Sequence, residues 1–262
     1  MTFGWQGFSL DHPPDWGPVS LAGTQPQGYV RLEGPDSGLI QIRWSSKGDP
    51  AESAVRTYLN RMRADSKKRS LPFEYEVETR NGAFQYSYKS ELYGFGTLFK
   101  PVGESRCFFL EAAGPSRKGA RGNWEKGLSS FLSPGGDHTR WSLLGLDVTL
   151  PAKAELHSKE LKAGKTRLEF SVKGARIVAE RWGFAEQLLA TQSLASWLCH
   201  ACKFGGANIV ESEEGVEAIQ PRIVLRSIHA LARACLEKNQ IELILVESRG
   251  SQWRPRWDWF SS

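Results

Sequence analysis

The chain repeats itself, and no other feature limits its possible folds so much. Shifted by 138 residues, Phe3 falls on Trp141 and Gly7-Phe8-Ser9-Leu10 on Gly145-Leu146-Asp147-Val148. In the same register Pro13 meets Pro151, Val30 meets Leu168, Leu32 meets Phe170, Leu39-Ile40 meets Ile177-Val178 and Arg43-Trp44 meets Arg181-Trp182. Past a helical stretch the shift becomes 136: Phe95 meets Leu231, Phe99 meets Cys235, and Phe108-Phe109-Leu110-Glu111 meets Ile244-Leu245-Val246-Glu247, with Gly114 on Gly250. At about 150 residues per domain, 262 residues suit one large domain or two small ones, and the repeat favours two. The expected domains are 1–134 and 138–262, parted by the breaker-rich Ser133-Pro134-Gly135-Gly136-Asp137.

Within the first copy, Gln6–Leu10 reads as a short strand stopped by His12-Pro13-Pro14, because proline cannot donate to a ladder. Val19–Gly23, Gln27–Glu33 and Leu39–Ser45 read as further strands, with a turn cluster at residues 34–38. Asp49-Pro50-Ala51-Glu52 has the residues of a capping box, followed by one apolar stripe: Ala51, Ala54, Val55, Tyr58, Leu59, Met62. The predicted helix ends near Arg69. A meander follows: Phe73–Glu78, a turn at Asn81-Gly82, Ala83–Glu91, Gly94–Lys100 and Arg106–Ala112. A closing helix over Gly119–Leu132 places Trp124, Leu128 and Phe131 on one face. In the second copy, strands are expected at Leu143–Leu150, Thr166–Lys173 and Ala175–Arg181, one helix at Phe184–Cys202, then strands at Ala207–Glu214, Ile219–Arg226, Ala230–Lys238 and Glu242–Ser248. The fold class is α+β: two tandem similar domains, each an antiparallel sheet flanked by helices.

That element order, opened by Gly7-Phe8-Ser9-Leu10-Asp11-His12-Pro13-Pro14-Asp15-Trp16, resembles the Mog1/PsbP-like fold. The group includes the photosystem II extrinsic protein, a Ran-binding nuclear-transport factor and DcrB-type bacterial domains. The second copy departs from the opening motif, with Ala154 where Trp16 would fall. The resemblance implies a binding, assembly or chaperone subunit rather than a catalyst. Some DcrB-type relatives are dimeric chaperones, so a covalent tandem would act as a pseudo-dimer, with a monomer or weak homodimer expected.

Candidate chemistry is sparse. Cys199-His200-Ala201-Cys202 puts two cysteines on one helix face, a spacing suited to dithiol chemistry or half a zinc site, with His200 as a further ligand. It falls at a helix C-terminus, where the dipole does not favour a thiolate, so packed thiols are the competing reading. Cys107 and Cys235 read as core thiols. His12, His138, His157 and His229 are scattered, and no triad, Walker or dinucleotide motif occurs, so no cofactor is expected. Gly94-Phe95-Gly96 reads as a bulge within the meander. Trp44 and Trp182, at matching positions, read as core pillars.

Trp253, Arg254, Arg256, Trp257 and Trp259 crowd the C-terminal end with Phe260. They read either as a shortened closing helix, since Trp253, Trp257 and Phe260 repeat the spacing of Trp124, Leu128 and Phe131, or as an aromatic-and-arginine partner surface. A net charge of +5 is spread thinly. Its one cluster, Arg61, Arg63, Lys67, Lys68 and Arg69, suits a solvated helix end, and nucleic acid is not the expected partner. No apolar run reaches the roughly 18 residues of a membrane span. With neither an evident leader at Met1–Gln6 nor a disulfide framework, a cytoplasmic location is expected. The reading that follows is a non-enzymatic protein-binding adaptor or chaperone-like protein; the alternative is a thiol-redox or metal-binding protein using Cys199 and Cys202.

Overall fold

The computed structural model describes residues 1–133, 136–222, 226–249 and 253–260. The chain forms two compact units, Met1–Gly135 and Gly136–Ser262. Among the described residues no helix is long and apolar enough to cross a membrane.

Unit 1 contains β1 (Thr2–Trp5), β2 (Phe8–Asp11), β3 (Gly17–Thr24), β4 (Gln27–Glu33), β5 (Leu39–Ser45), α1 (Glu52–Lys68), β6 (Glu74–Arg80), β7 (Ala83–Lys89), β8 (Tyr93–Phe99), β9 (Cys107–Gly114) and α2 (Arg117–Ser129). Seven strands form one antiparallel sheet in the order β3-β4-β5-β9-β8-β7-β6. The central β9 is buried on both faces, under α1 on one and α2 on the other, and is apolar apart from Glu111. Under α1, Val55 and Leu59 pack with Tyr86, Tyr88, Leu98 and Ala113. On the α2 face, Phe108 stacks edge-on against Phe131 at 4.8 Å, and Trp44 is buried with its indole N–H donating to Thr24 O at 2.9 Å.

Three expectations change in this unit. The opening is a hairpin rather than one strand. Trp5 pairs with Phe8 across Gln6-Gly7, whose φ values of 49° and 83° suit a tight two-residue turn. The helix starts later than the capping box suggests: Ala51 is its N-cap residue and makes no side-chain cap bond. Asp49 instead binds Lys100 Nζ at 2.7 Å. Finally, Gly94 and Gly96 form no bulge, since β8 pairs in unbroken register with β7. They make room: a Cβ at Gly96 would stand 2.1 Å from Tyr86 Cζ, and one at Gly94 would stand 2.1 Å from the Tyr88 ring.

Unit 2 contains β10 (His138–Leu143), β11 (Leu146–Pro151), β12 (Glu155–Lys162), β13 (Lys165–Val172), β14 (Ala175–Gly183), α3 (Ala185–Leu189), α4 (Leu194–Cys202), β15 (Asn208–Ser212), β16 (Gly215–Arg222), β17 (Arg226–Cys235) and β18 (Gln240–Arg249). Its sheet order is β12-β13-β14-β18-β17-β16-β15, strand for strand that of unit 1. Its opening is also a hairpin, with Leu144 and Gly145 at φ 49° and 82°.

Here too the structure departs from expectation. The strand predicted at Leu143–Leu150 is β11, the second arm of a hairpin whose first arm, β10, was not expected. The single helix over Phe184–Cys202 is broken in two. Ser193 caps the second half, its Oγ accepting from Ser196 N at 3.2 Å, and serine's side chain competes with the helix backbone. The charged edge strand β12 has no counterpart in the predictions. The strand expected over Ile219–Arg226 starts earlier, at Gly215, and its residues 223–225 lie outside the described residues. The strand expected over Ala230–Lys238 starts at Arg226 and ends in a 3-10 turn over Leu236–Lys238. At the sheet edge, all five residues of β15 are exposed.

Candidate functional site

The cysteine motif forms the last turn of α4. Lys203 N and Phe204 N close the helix on His200 O and Cys199 O at 3.2 and 2.9 Å, with Lys203 left-handed at φ 55°. Cys202 faces the sheet and packs on the cluster of Ala195, Trp197, Leu198 and Ala218. Cys199 is half-buried and His200 exposed. Burial, followed by the nearby Glu180 charge, pushes the Cys202 thiol up to about 12. Among the described residues no three His, Cys, Asp or Glu side chains gather as a metal-binding group. Cys107 is buried and Cys235 half-buried, and all four thiols are free.

A labelling experiment checks this placement. Iodoacetamide at pH 8 should modify Cys202 far more slowly than Cys199, its half-buried neighbour on the helix, since a thiol at about 12 holds on the order of 1000-fold less thiolate than an ordinary cysteine. Equal labelling of Cys199 and Cys202 in the folded chain would contradict it.

The C-terminal segment is not a shortened helix. It runs irregularly over residues 253–256 and makes a single 3-10 turn at Trp257–Trp259. Pro255, buried just before that turn, can donate no hydrogen bond to a longer helix. Trp259 and Phe260 are buried, Phe260 bridges to Val148, and the Arg233 guanidinium stacks 4.8 Å from the Phe260 ring. Trp253 is half-buried and donates its indole N–H to Lys173 O at 3.1 Å. Trp257 is half-buried and stacks on Phe260. Arg254 and Arg256 are exposed, the latter paired with Asp258 at 2.6 Å. The five residues are therefore together but not equivalent: Trp259 anchors the segment, while both arginines and the outer parts of Trp253 and Trp257 face outward. Beneath the segment, His229 is buried and its Nδ1 has no partner among the described residues. Burial, reinforced by the Arg254 charge, lowers its pKa.

Of the predicted tryptophan pillars, Trp44 is fully buried. Trp182 is half-buried, set edge-on to Trp197 at 5.6 Å, with its N–H donating to Glu180 Oε2 at 2.6 Å. At the basic end of α1, Lys68 pairs with Asp65, Arg69 with Glu91, and Arg63 lies over the Tyr75 ring.

One polar centre went unnoticed in the sequence. Glu111, 1% exposed in the middle of β9, accepts from Gln41 Nε2 at 2.6 Å, Tyr86 Oη at 2.5 Å, Tyr58 Oη at 3.0 Å and Tyr88 Oη at 3.2 Å. Burial raises its pKa although all four donors pull the other way. The signal was available: one carboxylate inside an apolar strand, a Tyr-x-Tyr on β7, and glycines on β8 opposite both tyrosines. The buried carboxylates of unit 2 have cations instead: Glu180 takes Arg167 and Lys165, and Glu242 takes Arg233.

No protein-family model matches the chain, and no curated protein matches it. Among solved structures it is similar to the solution structure of cyanobacterial PsbP (CyanoP) from Synechocystis sp. PCC 6803. The match has 13% identity and a TM-score of 0.35, covering 51% of this chain and 92% of that one.

Proposed function

We propose that the chain is a non-catalytic adaptor or chaperone-like protein that holds another protein against the C-terminal segment of unit 2. The observation that carries this reading is the segment's two-sided build. Trp259 and Phe260 fix it to the unit, while Arg254, the Asp258-paired Arg256 and the outer parts of Trp253 and Trp257 face outward toward a partner. Tryptophan and arginine dominate the energetics of protein interfaces. We further propose that the units are duplicated Mog1/PsbP-like domains, a reading supported by their common strand order. The tandem would then be a monomeric pseudo-dimer, and light scattering should give the mass of a single 29.3 kDa chain. Four free thiols are in keeping with a reducing cytoplasm. Dithiol or metal chemistry at Cys199 and Cys202 ranks second, because burial holds Cys202 as the thiol.

The test is capture from native lysate by the full chain and by a variant carrying W253A, R254E, R256E and W257A. Ending the chain at Gly250 is less informative, since it also removes the buried Trp259 and Phe260. A partner bound by the parent and lost from the folded variant supports the reading. Undiminished capture by the variant overturns it.

A further inference from the structure

Unit 1 carries a separate cleft of about 510 Å³ between α1 and strands β5, β8 and β9. Residues 47–51, which precede α1, run along one side of the cleft, where the Cys107 thiol of β9 donates to Gly48 O at 3.2 Å. Tyr58, Leu98 and Phe109 line its apolar side, with the Tyr58 and Phe109 rings edge-on at 4.9 Å. Arg43, Lys47 and Arg61 also line it and are exposed. Among the described residues none of these three cations is paired with a carboxylate. Arg43 lies over the Tyr29 and Tyr58 rings at 5.4 and 5.3 Å. The one acid lining the cleft, Asp49, is already bound to Lys100. At the matching position in unit 2, Arg181 donates to Gln240 Oε1 at 3.1 Å. Three uncompensated positive charges beside an apolar wall present an unanswered field.

We propose that this cleft binds an acidic peptide segment bearing an apolar side chain. The apolar group seats against Tyr58, Leu98 and Phe109, and the carboxylates meet Arg43, Lys47 and Arg61. Charge complementarity selects this occupant, and the openness of the cleft suits an extended chain. The site does not depend on the C-terminal reading, so either can fail alone.

The probe is a short fluorescein-labelled peptide of glutamates flanking a leucine pair, blocked at both ends, titrated against the full chain by anisotropy. Its counterpart carries lysine for glutamate. The glutamate peptide should bind, weaken as salt rises, and bind the variant R43E/R61E at least ~10-fold more weakly. The lysine peptide should not bind. Since Arg43 also stacks on two rings, K47E/R61E provides a second variant should R43E/R61E melt early, and it should show the same loss. Reversal of Arg117 and Lys118 on α2 should leave binding unchanged. Equal binding of the two peptides, no binding of the acidic one, or equal loss in the α2 variant overturns the proposal. So does tighter, cleft-dependent binding of inorganic polyphosphate, which would assign the cleft to a phosphate ligand.

Discussion

Replacing Glu111 with alanine should destabilise unit 1 by about 3 kcal/mol or more, since each buried donor left without an acceptor costs about 1–3 kcal/mol. Three tyrosine hydroxyls and the Gln41 amide would lose their common acceptor. Glu111→Gln keeps one acceptor oxygen and should cost less, about 1–2 kcal/mol. The two also differ in their response to pH. Because burial raises the folded-state pKa of Glu111 above its ordinary 4.5, the folded chain holds this proton longer than the unfolded chain. Stability from this group is therefore greatest below about 4.5 and falls as pH climbs through the raised folded value. Relative to E111Q, the parent should lose ground with rising pH. Calorimetry of the full chain across this range checks both statements. A Glu111→Ala transition within 2 °C of the parent, taking about 3 °C per kcal/mol, would refute the first, and parallel pH curves the second.

Arg106→Met should be comparably damaging, about 3–5 kcal/mol. Its guanidinium is almost fully buried and donates to Gln6 O at 2.6 Å, Gln25 O at 3.3 Å and Glu104 Oε2 at 2.7 Å. It also reaches Gly7 O and Ser133 Oγ. The same side chain therefore fixes the opening hairpin turn and neutralises a largely buried carboxylate. Burial alone would raise the Glu104 pKa, but hydrogen bonds from Arg106 and Ser133 prevail and bring it down to about 2. The sign is thus opposite to that at Glu111. This contribution is complete above about 4.5 and disappears as pH falls toward about 2. Adding Glu104→Gln to Arg106→Met should recover part of the loss, because it removes the stranded charge. Strict additivity of the two substitutions would count against a coupled pair.

Much of the sheet was readable because alternation and turn residues coincide. Asn81-Gly82, with both φ positive, sits between Arg80 and Ala83 as its composition suggests. The opening hairpins escaped notice because Gln6-Gly7 and Leu144-Gly145 lack the asparagine or aspartate that usually marks such turns. β12 was missed because Leu156 and Leu161 are its only large apolar residues, and an edge strand needs no more. The helix break at Ser193 is set by a local capping bond that periodicity does not register. Of the site residues, the cysteines and the terminal tryptophans stood out by type. Glu111 did not: its meaning depends on Gln41, Tyr58, Tyr86 and Tyr88, which only the sheet register and α1 bring together.

The uncovered β15 has a consequence for handling the protein. Among the described residues no strand pairs with its outer edge, and Ile209 and Val210 are 41% and 58% exposed, whereas the matching edge strand β6 bears Glu74, Glu76, Glu78 and Arg80. Unpaired strand edges with apolar side chains invite chain-to-chain pairing. Concentrated stocks should therefore thicken into β-rich aggregates that begin at unit 2, soonest near pH 9 where net charge vanishes. A single lysine in place of Val210 should extend the working concentration range.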